Sequence, residues 1–308
     1  MLKRLRKRLA VRNLLVPSRA REGVVAKLAM RRVAHTFRND VEALRGVDID
    51  VHAGEFVCLL GPSGCGKSTL LYALAGLVKP SGGHISLEGQ DVTGPGPDRM
   101  MVFQDPALFP WMTVRQNLVF ALRSRGLSSA DAEARASAFI HRVELNGFDG
   151  SLPHQLSGGM RMRVSLARAL AMDPSVLLMD EPFGALDAQT RASMHDLLQQ
   201  IWMRDRKTVV FVTHNIREAL VLGDRVVVMA GGPGRVLQDL EVRLPRPRDP
   251  DDEALVELSR RIRALLSRAA RATPTPPPIP PKENTDEEAA GRAGRVPDGA
   301  PPPLGAHL

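Results

Sequence analysis

The run GPSGCGKST, Gly61 to Thr69, follows the apolar stretch EFVCLL and opens the helical pattern STLLYALAGL. Its spacing, G-x-x-x-x-G-K-[ST] between a strand and a helix, belongs to loops whose successive backbone N–H groups cradle phosphate oxygens. Gly61, Gly64 and Gly66 allow the close backbone approach, with Pro62, Ser63 and Cys65 between them. The helix N-terminus adds partial positive charge. Lys67 can reach the β- and γ-phosphates, and the hydroxyl pair Ser68 and Thr69 opens the helix, with Ser68 placed to ligate Mg²⁺. Downstream, the apolar run VLLMDEP ends in two acids with separable roles. Adjacent strand-end side chains point in different directions, so Asp180 can hold Mg²⁺ while Glu181 polarises a water as general base.

A second stretch is costly by local rules. LSGGMRMR sets Gly158 and Gly159 at the start of a helical pattern, where each glycine costs roughly 1 kcal/mol against alanine. Such a pair implies a packing or binding reason. Its neighbours Ser157 and Met160 belong to the same helix start.

The elements that must position these residues follow a repeated order. Continuous apolar runs (EFVCLLG, SVLLMDEP, KTVVFVTH, DRVVVMAG) alternate with helical patterns (KSTLLYALAGL, AQTRASMHDLLQQIWM, NIREALVL). That order predicts an α/β fold with a mostly parallel sheet covered on both faces. VRQNLVFALRSRG and SSADAEARASAFIHRVEL read as helices with no strand between them, so a helical insertion over about 105–165 is expected.

Composition narrows the class of partner. The chain of 308 residues carries a net charge of +8, but residues 1–32 hold eleven Lys and Arg against one acid, so the remainder is slightly acidic. Aromatic residues make up 4%, and no basic run is interleaved with them as a base-stacking surface requires. Nucleic acid is therefore not an expected partner. Cys58 and Cys65 form no disulfide framework and no spaced metal cluster, which fits a reducing cytosol. No run approaches the roughly 20 apolar residues that span a bilayer. The leader over 1–26 sets Leu2, Leu5 and Leu9 among cations and could lie on an anionic membrane surface or remain a solvated tail. Residues 273–308, with ten of the 24 prolines, are expected to be disordered.

Beside the P-loop stand further landmarks, in chain order: Gln104 in VFQDP, LSGGM, Asp180–Glu181, ALD ending at Asp187, and His214 after TVVFVTH. This ordered set resembles the ATP-binding subunits of ABC transporters over residues 27–245, with 246–272 a helical segment beyond. That resemblance implies a P-loop NTPase fold with an additional antiparallel β subdomain and the helical insertion. It implies ATP and Mg²⁺ as cofactors, and two such domains assembled head to tail, a second copy of this chain being the simpler partner and a paralogue the alternative. The signature Ser157, Gly158, Gly159 and Met160 would then contact the ATP of the opposite subunit. By the same carry-over, Gln104 touches Mg²⁺ and the attacking water, His214 senses the γ-phosphate, and Asp187 joins the two sites. Phe37, upstream of the P-loop, is the candidate aromatic face for adenine, with core packing as the competing reading.

The Pro-Trp before TV in VFQDPALFPWMTVRQ and the later GGPGRV resemble the nitrate, sulfonate, taurine and bicarbonate importers. An importer of a small anion or organosulfur solute is implied, with membrane permease subunits as direct partners. A periplasmic solute-binding protein would act indirectly, and the chain would sit peripherally on the cytoplasmic face of the inner membrane. The alternative from another class is a soluble ABC-type ATPase working on nucleic acid or ribosomes. Met162 stands where this family usually has Gln, and altered polarity of the subunit interface with retained activity is expected from it.

Overall fold

The structure is a computed structural model that describes residues 14–18 and 24–272, with side chains through Arg268. Period-2 alternation with both faces apolar creates the central sheet. Its seven strands run in the order β1 (Leu15–Pro17), β11 (Arg235–Val242), β10 (Arg225–Ala230), β4 (Phe56–Leu60), β9 (Thr208–Thr213), β8 (Val176–Asp180) and β7 (Arg99–Val102). From β10 to β7 every pairing is parallel, whereas β11 pairs antiparallel with β10 and β1.

Alternate residues of each parallel strand serve two different cores. Phe56, Cys58 and Leu60 of β4 pack with Leu177, Met179, Phe211 and Val228 into one. That core is completed by helices α5 (Ala188–Asp205), α6 (Ile216–Leu222) and α7 (Glu253–Ala272). Val57 and Leu59 face the other core, with Leu178, Val210 and Val212. There they meet α1 (Lys67–Leu74) and a four-stranded antiparallel sheet ordered β3 (Glu42–Val51), β2 (Leu28–Thr36), β5 (Gly82–Leu87), β6 (Gln90–Asp91). The expected α/β class, with its antiparallel β subdomain, is what the chain adopts.

The insertion holds α2 (Val114–Ser124), α3 (Ser129–Arg142), a 3₁₀ turn (Pro153–Gln155) and α4 (Gly158–Ala171). α2 begins with a capping box: the Thr113 hydroxyl accepts from the Gln116 N–H while the Gln116 side chain accepts from the Thr113 N–H. α4 continues beyond 165, and its C-terminal half carries Leu166 and Leu170 into the core of the central sheet.

One boundary differs from the sequence reading. Leu15–Pro17 lies inside the segment set apart as a leader, yet it forms the edge strand beside β11, and Arg261 of α7 donates to the Leu15 carbonyl at 3.2 Å. Three residues flanked by cations carry too little pattern to be read as a strand; the open edge of β11 supplies the missing partner. Residues 1–13 and 19–23 of the leader read over 1–26, and the Pro-rich stretch from 273 onward, lie outside the described residues. Among the described residues no helix is long and apolar enough to cross a membrane.

The far end of α6, whose first residues follow His214, is fastened by a buried arginine. Arg248 donates to the carbonyls of Leu220 at 2.7 Å, Gly223 at 2.5 Å and Val242 at 3.2 Å. Burial, with Arg246 nearby, draws its guanidinium down to about 10. Arg248→Met leaves these carbonyls without their donor, and we expect a loss of about 3 kcal/mol. A lower urea midpoint at unchanged slope is the measurement that checks it.

Candidate functional site

Three parallel strands end level. The pairs Leu60↔Thr213 and Asp180↔Val212 bring the exits of β4, β8 and β9 to one edge of the sheet. Open α/β sheets bind ligands at this carboxyl edge. The P-loop leaves β4 there, Asp180 and Glu181 end β8, and His214 follows β9.

Glycine is required at particular points of the loop. Gly66 has φ +86°, and a Cβ on it would lie 2.6 Å from the Ala43 carbonyl. Gly61 has no such torsion, but its Cβ would lie 2.6 Å from the Met229 carbonyl. The P-loop is therefore wedged between the start of β3 and the end of β10, which leaves it one path.

Lys67 is buried beneath this loop. Its Nζ donates to the Gly61 carbonyl at 3.0 Å and the Pro62 carbonyl at 2.9 Å, and lies 3.9 Å from Glu181 Oε1. Ser68 donates from Oγ to Asp180 Oδ1 at 2.9 Å. A hydroxyl and a carboxylate oxygen this close form the sparse, all-oxygen donor set suited to Mg²⁺, which keeps waters and phosphate oxygens in its shell. Tyr72, one turn beyond Ser68, reaches the same carboxylate; burial first, and then Asp180, push its phenol up.

Glu181 takes φ +43°, the left-handed region, uncommon for a non-glycine residue. Its N–H donates to the Val212 carbonyl and its carbonyl accepts from Gly184 N–H, each at 3.0 Å. This turn separates its side chain from that of Asp180. Glu181 Oε2 lies 2.7 Å from His214 Nδ1, and with its proton on that nitrogen the imidazole donates. Phe183, Gly184, Arg191 and Glu218 line a small cavity alongside the pair. The Gln104 amide lies against Gly184, 3.1 Å from where a Cβ would stand. A buried amine, an acid bonded to imidazole and a hydroxyl–carboxylate pair converge on one phosphate loop, which is equipment for phosphoryl transfer to water.

Comparison with known proteins decides which such machine this is. The ABC transporter family profile matches residues 44–184. The nitrate import ATP-binding protein of Synechocystis is 48% identical over 216 residues, covering 70% of this chain and 81% of its own. The taurine import ATP-binding protein of Jannaschia is 45% identical over 237 residues, 76% of this chain and 88% of its own. The chain belongs to the ABC transporter family. It is one of the family's ATP-binding, ATP-hydrolysing subunits. A solved dimeric ATP-binding cassette, in a post-hydrolysis state with ADP and phosphate, superposes with TM-score 0.63 at 32% identity. It covers 71% of this chain and all of the cassette.

Within this ABC subunit the other predicted residues fall in separate places. Asp187 caps α5: Oδ1 accepts from the Thr190 N–H at 3.0 Å and Oδ2 from its hydroxyl at 2.6 Å, which holds the carboxyl below its usual range. The signature opens α4, with the Ser157 hydroxyl accepting from Met160 N–H at 3.2 Å. The neighbours of its glycines are Leu186, Arg161 and Thr190. Phe37 stands in the turn after β2, 45% exposed, with His35 edge-on at 4.8 Å. Core packing is thus excluded for Phe37, the first residue past the end of β2, whose ring stands exposed.

Met162 corrects an expectation. It is 1% exposed and sits in the core shared by α4 and the sheet, so it presents no altered polarity to a partner surface. As the fifth residue of α4 it falls on the inward face. Cys65 and Cys58 are free and buried; burial pushes both thiols up, against Lys67 in the case of Cys65.

Sequence reasoning missed Tyr72 and Thr190. The i,i+4 spacing from Ser68 would have found the first; the capping position three residues after Asp187 would have found the second.

Gly66→Ala forces a side chain into both the left-handed region and the Ala43 carbonyl. ATP affinity should fall about tenfold or more, the equivalent of one such strain. Titration with a fluorescent nucleotide reads it directly.

Proposed function

We propose that two copies of this chain close on two ATP molecules and that their opening and closing drives import of a small oxyanion-bearing solute through a separate membrane permease. The observation that carries this is the joint placement of Lys67, the Ser68–Asp180 pair and the Glu181–His214 pair at one sheet edge. The nitrate and taurine relatives support the solute class. The dimeric cassette supports the pairing of two copies.

In this reading the P-loop amides and Lys67 hold the phosphates, and Ser68, Asp180 and Gln104 hold Mg²⁺. Held there, the ion would supply positive charge against the transferring phosphoryl group. Glu181 accepts the proton of the attacking water, and His214 orients the carboxylate and reports on the γ-phosphate. Phe37 offers its exposed face to adenine. Ser157, Gly158, Gly159 and Met160 approach the ATP of the opposite copy, and Asp187 links the two sites.

The permease would seat on the insertion. Trp111 is 71% exposed, and Phe109 packs against both Trp111 at 5.8 Å and Phe120 at 5.1 Å. The segment is held rigid by buried Asn117, whose amide donates to the carbonyls of Phe109, Met112 and Thr113. An ordered, exposed aromatic cluster a few residues beyond Gln104 suits an apolar helix end from the membrane subunit. The working location is therefore the cytoplasmic face of the membrane, as a peripheral subunit.

Glu181→Gln keeps the size and hydrogen-bonding reach of the side chain but removes the base. It should bind ATP with unchanged affinity, lose hydrolysis by about a thousandfold, and elute as a stable dimer with ATP. Turnover at the parent rate would remove Glu181 from its role. Trp111→Ala should leave the basal hydrolysis of the isolated chain unchanged and release the permease on co-purification in detergent.

A further inference from the structure

Gly158 and Gly159 stand side by side at the start of α4, yet their surroundings differ. A Cβ on Gly158 would make ordinary contacts, 3.6 Å from Leu186 Cδ2 and 3.9 Å from Arg161 Nη2. A Cβ on buried Gly159 would overlap Thr190 Cγ2. Thr190 has no easy escape. It is β-branched, with a single torsion to turn, and its hydroxyl is bonded to Asp187 Oδ2 at 2.6 Å. Rotating the methyl away breaks that bond.

The next residue extends the connection. Arg191 donates to the carbonyls of Phe183 at 3.2 Å and Leu186 at 2.6 Å, binding the loop that follows Glu181 to the same helical turn. Arg163 of α4 donates to Ser193 Oγ at 2.8 Å, a second tie between the two helices. The first turns of α4 and α5 thus form one packed block, with the Glu181–Asp187 loop fastened to it.

We propose that Thr190 is a positioning residue for hydrolysis: its methyl against Gly159 and its hydroxyl on Asp187 fix the signature helix to the loop that carries Glu181. A displacement of the signature then reaches the chain's own hydrolytic carboxylate through this contact. Gly159 is glycine because of Thr190, whereas at Gly158 a Cβ would meet only ordinary contacts. The inference rests on the reading of the signature and Asp187 given under the proposed function.

The test is a steric rescue. Gly159→Ala should lower kcat for ATP hydrolysis about a hundredfold, the scale of a misplaced catalytic group. Thr190→Ser removes the obstructing methyl and keeps the hydroxyl, so Gly159→Ala combined with Thr190→Ser should return to within about threefold of Thr190→Ser alone. Thr190→Val keeps a methyl and removes the hydroxyl; it should lower kcat about tenfold with KM for ATP unchanged. A double variant no more active than Gly159→Ala overturns the proposal, as does a Thr190→Val enzyme with the parent kcat. If Gly159→Ala does not fold, recovery of its thermal unfolding transition by Thr190→Ser supports the contact, and no recovery overturns it. Gly158→Ala serves as the separate control. Full activity in that variant would count against the opposing-nucleotide reading of the signature while leaving the Thr190 result standing.

Discussion

The parallel ladder β8–β9–β4 has apolar side chains on both faces, and its register determines where every functional group sits. Residues alternate between two cores of different content, so a one-residue slip would exchange Phe211 for Val210 and Met179 for Leu178 throughout. The two cores lock the register, and the register sets Leu60, Asp180 and Thr213 at one edge. Backbone N–H groups, carboxylates and an imidazole then share a small volume without any one element having to bend toward another. The burial that stabilises the sheet is therefore what delivers the precision of the site.

Beyond that edge, the loop from Glu181 to Asp187 is where separate parts of the molecule meet. Its first residue faces Lys67 and His214, Gly184 receives the Gln104 amide, and Asp187 caps α5. The loop is short, and Arg191 fastens it at two carbonyls, those of Phe183 and Leu186. The positive φ of Glu181 fits this picture: a strained torsion persists where the surrounding contacts over-determine it. Glu181 and Asp187, the residues proposed for hydrolysis and for communication with a second copy, thus stand at the two ends of one fastened segment.

The helical insertion divides its faces between two tasks. Inward, Met162, Val164 and Leu166 join the core that covers the sheet, so the start of α4 is carried on a packed support. Outward, half-buried Phe109 packs with exposed Trp111 and Phe120 over a turn tied down by Asn117. A surface of this kind is costly for a chain that works alone. It fits the proposed docking of a membrane subunit on this face.

Local pattern determined a large part of this protein. The P-loop, the Asp180–Glu181 pair and the alternation of apolar runs with helices are all short-range signals, because phosphate binding, strand burial and helix amphipathicity each have a fixed spacing. They were sufficient for the fold class and for the residues at the sheet edge. Tertiary structure decided what depends on contacts across distance. It recruited Leu15–Pro17 to an open sheet edge, buried Met162, left Phe37 outside the core, and turned Tyr72 toward Asp180. It also divided the glycine pair of the signature, which looks uniform in one dimension, into one residue with room for a Cβ and one pressed against Thr190. Neither position differs in type or spacing; only the helix packed 30 residues further along the chain tells them apart.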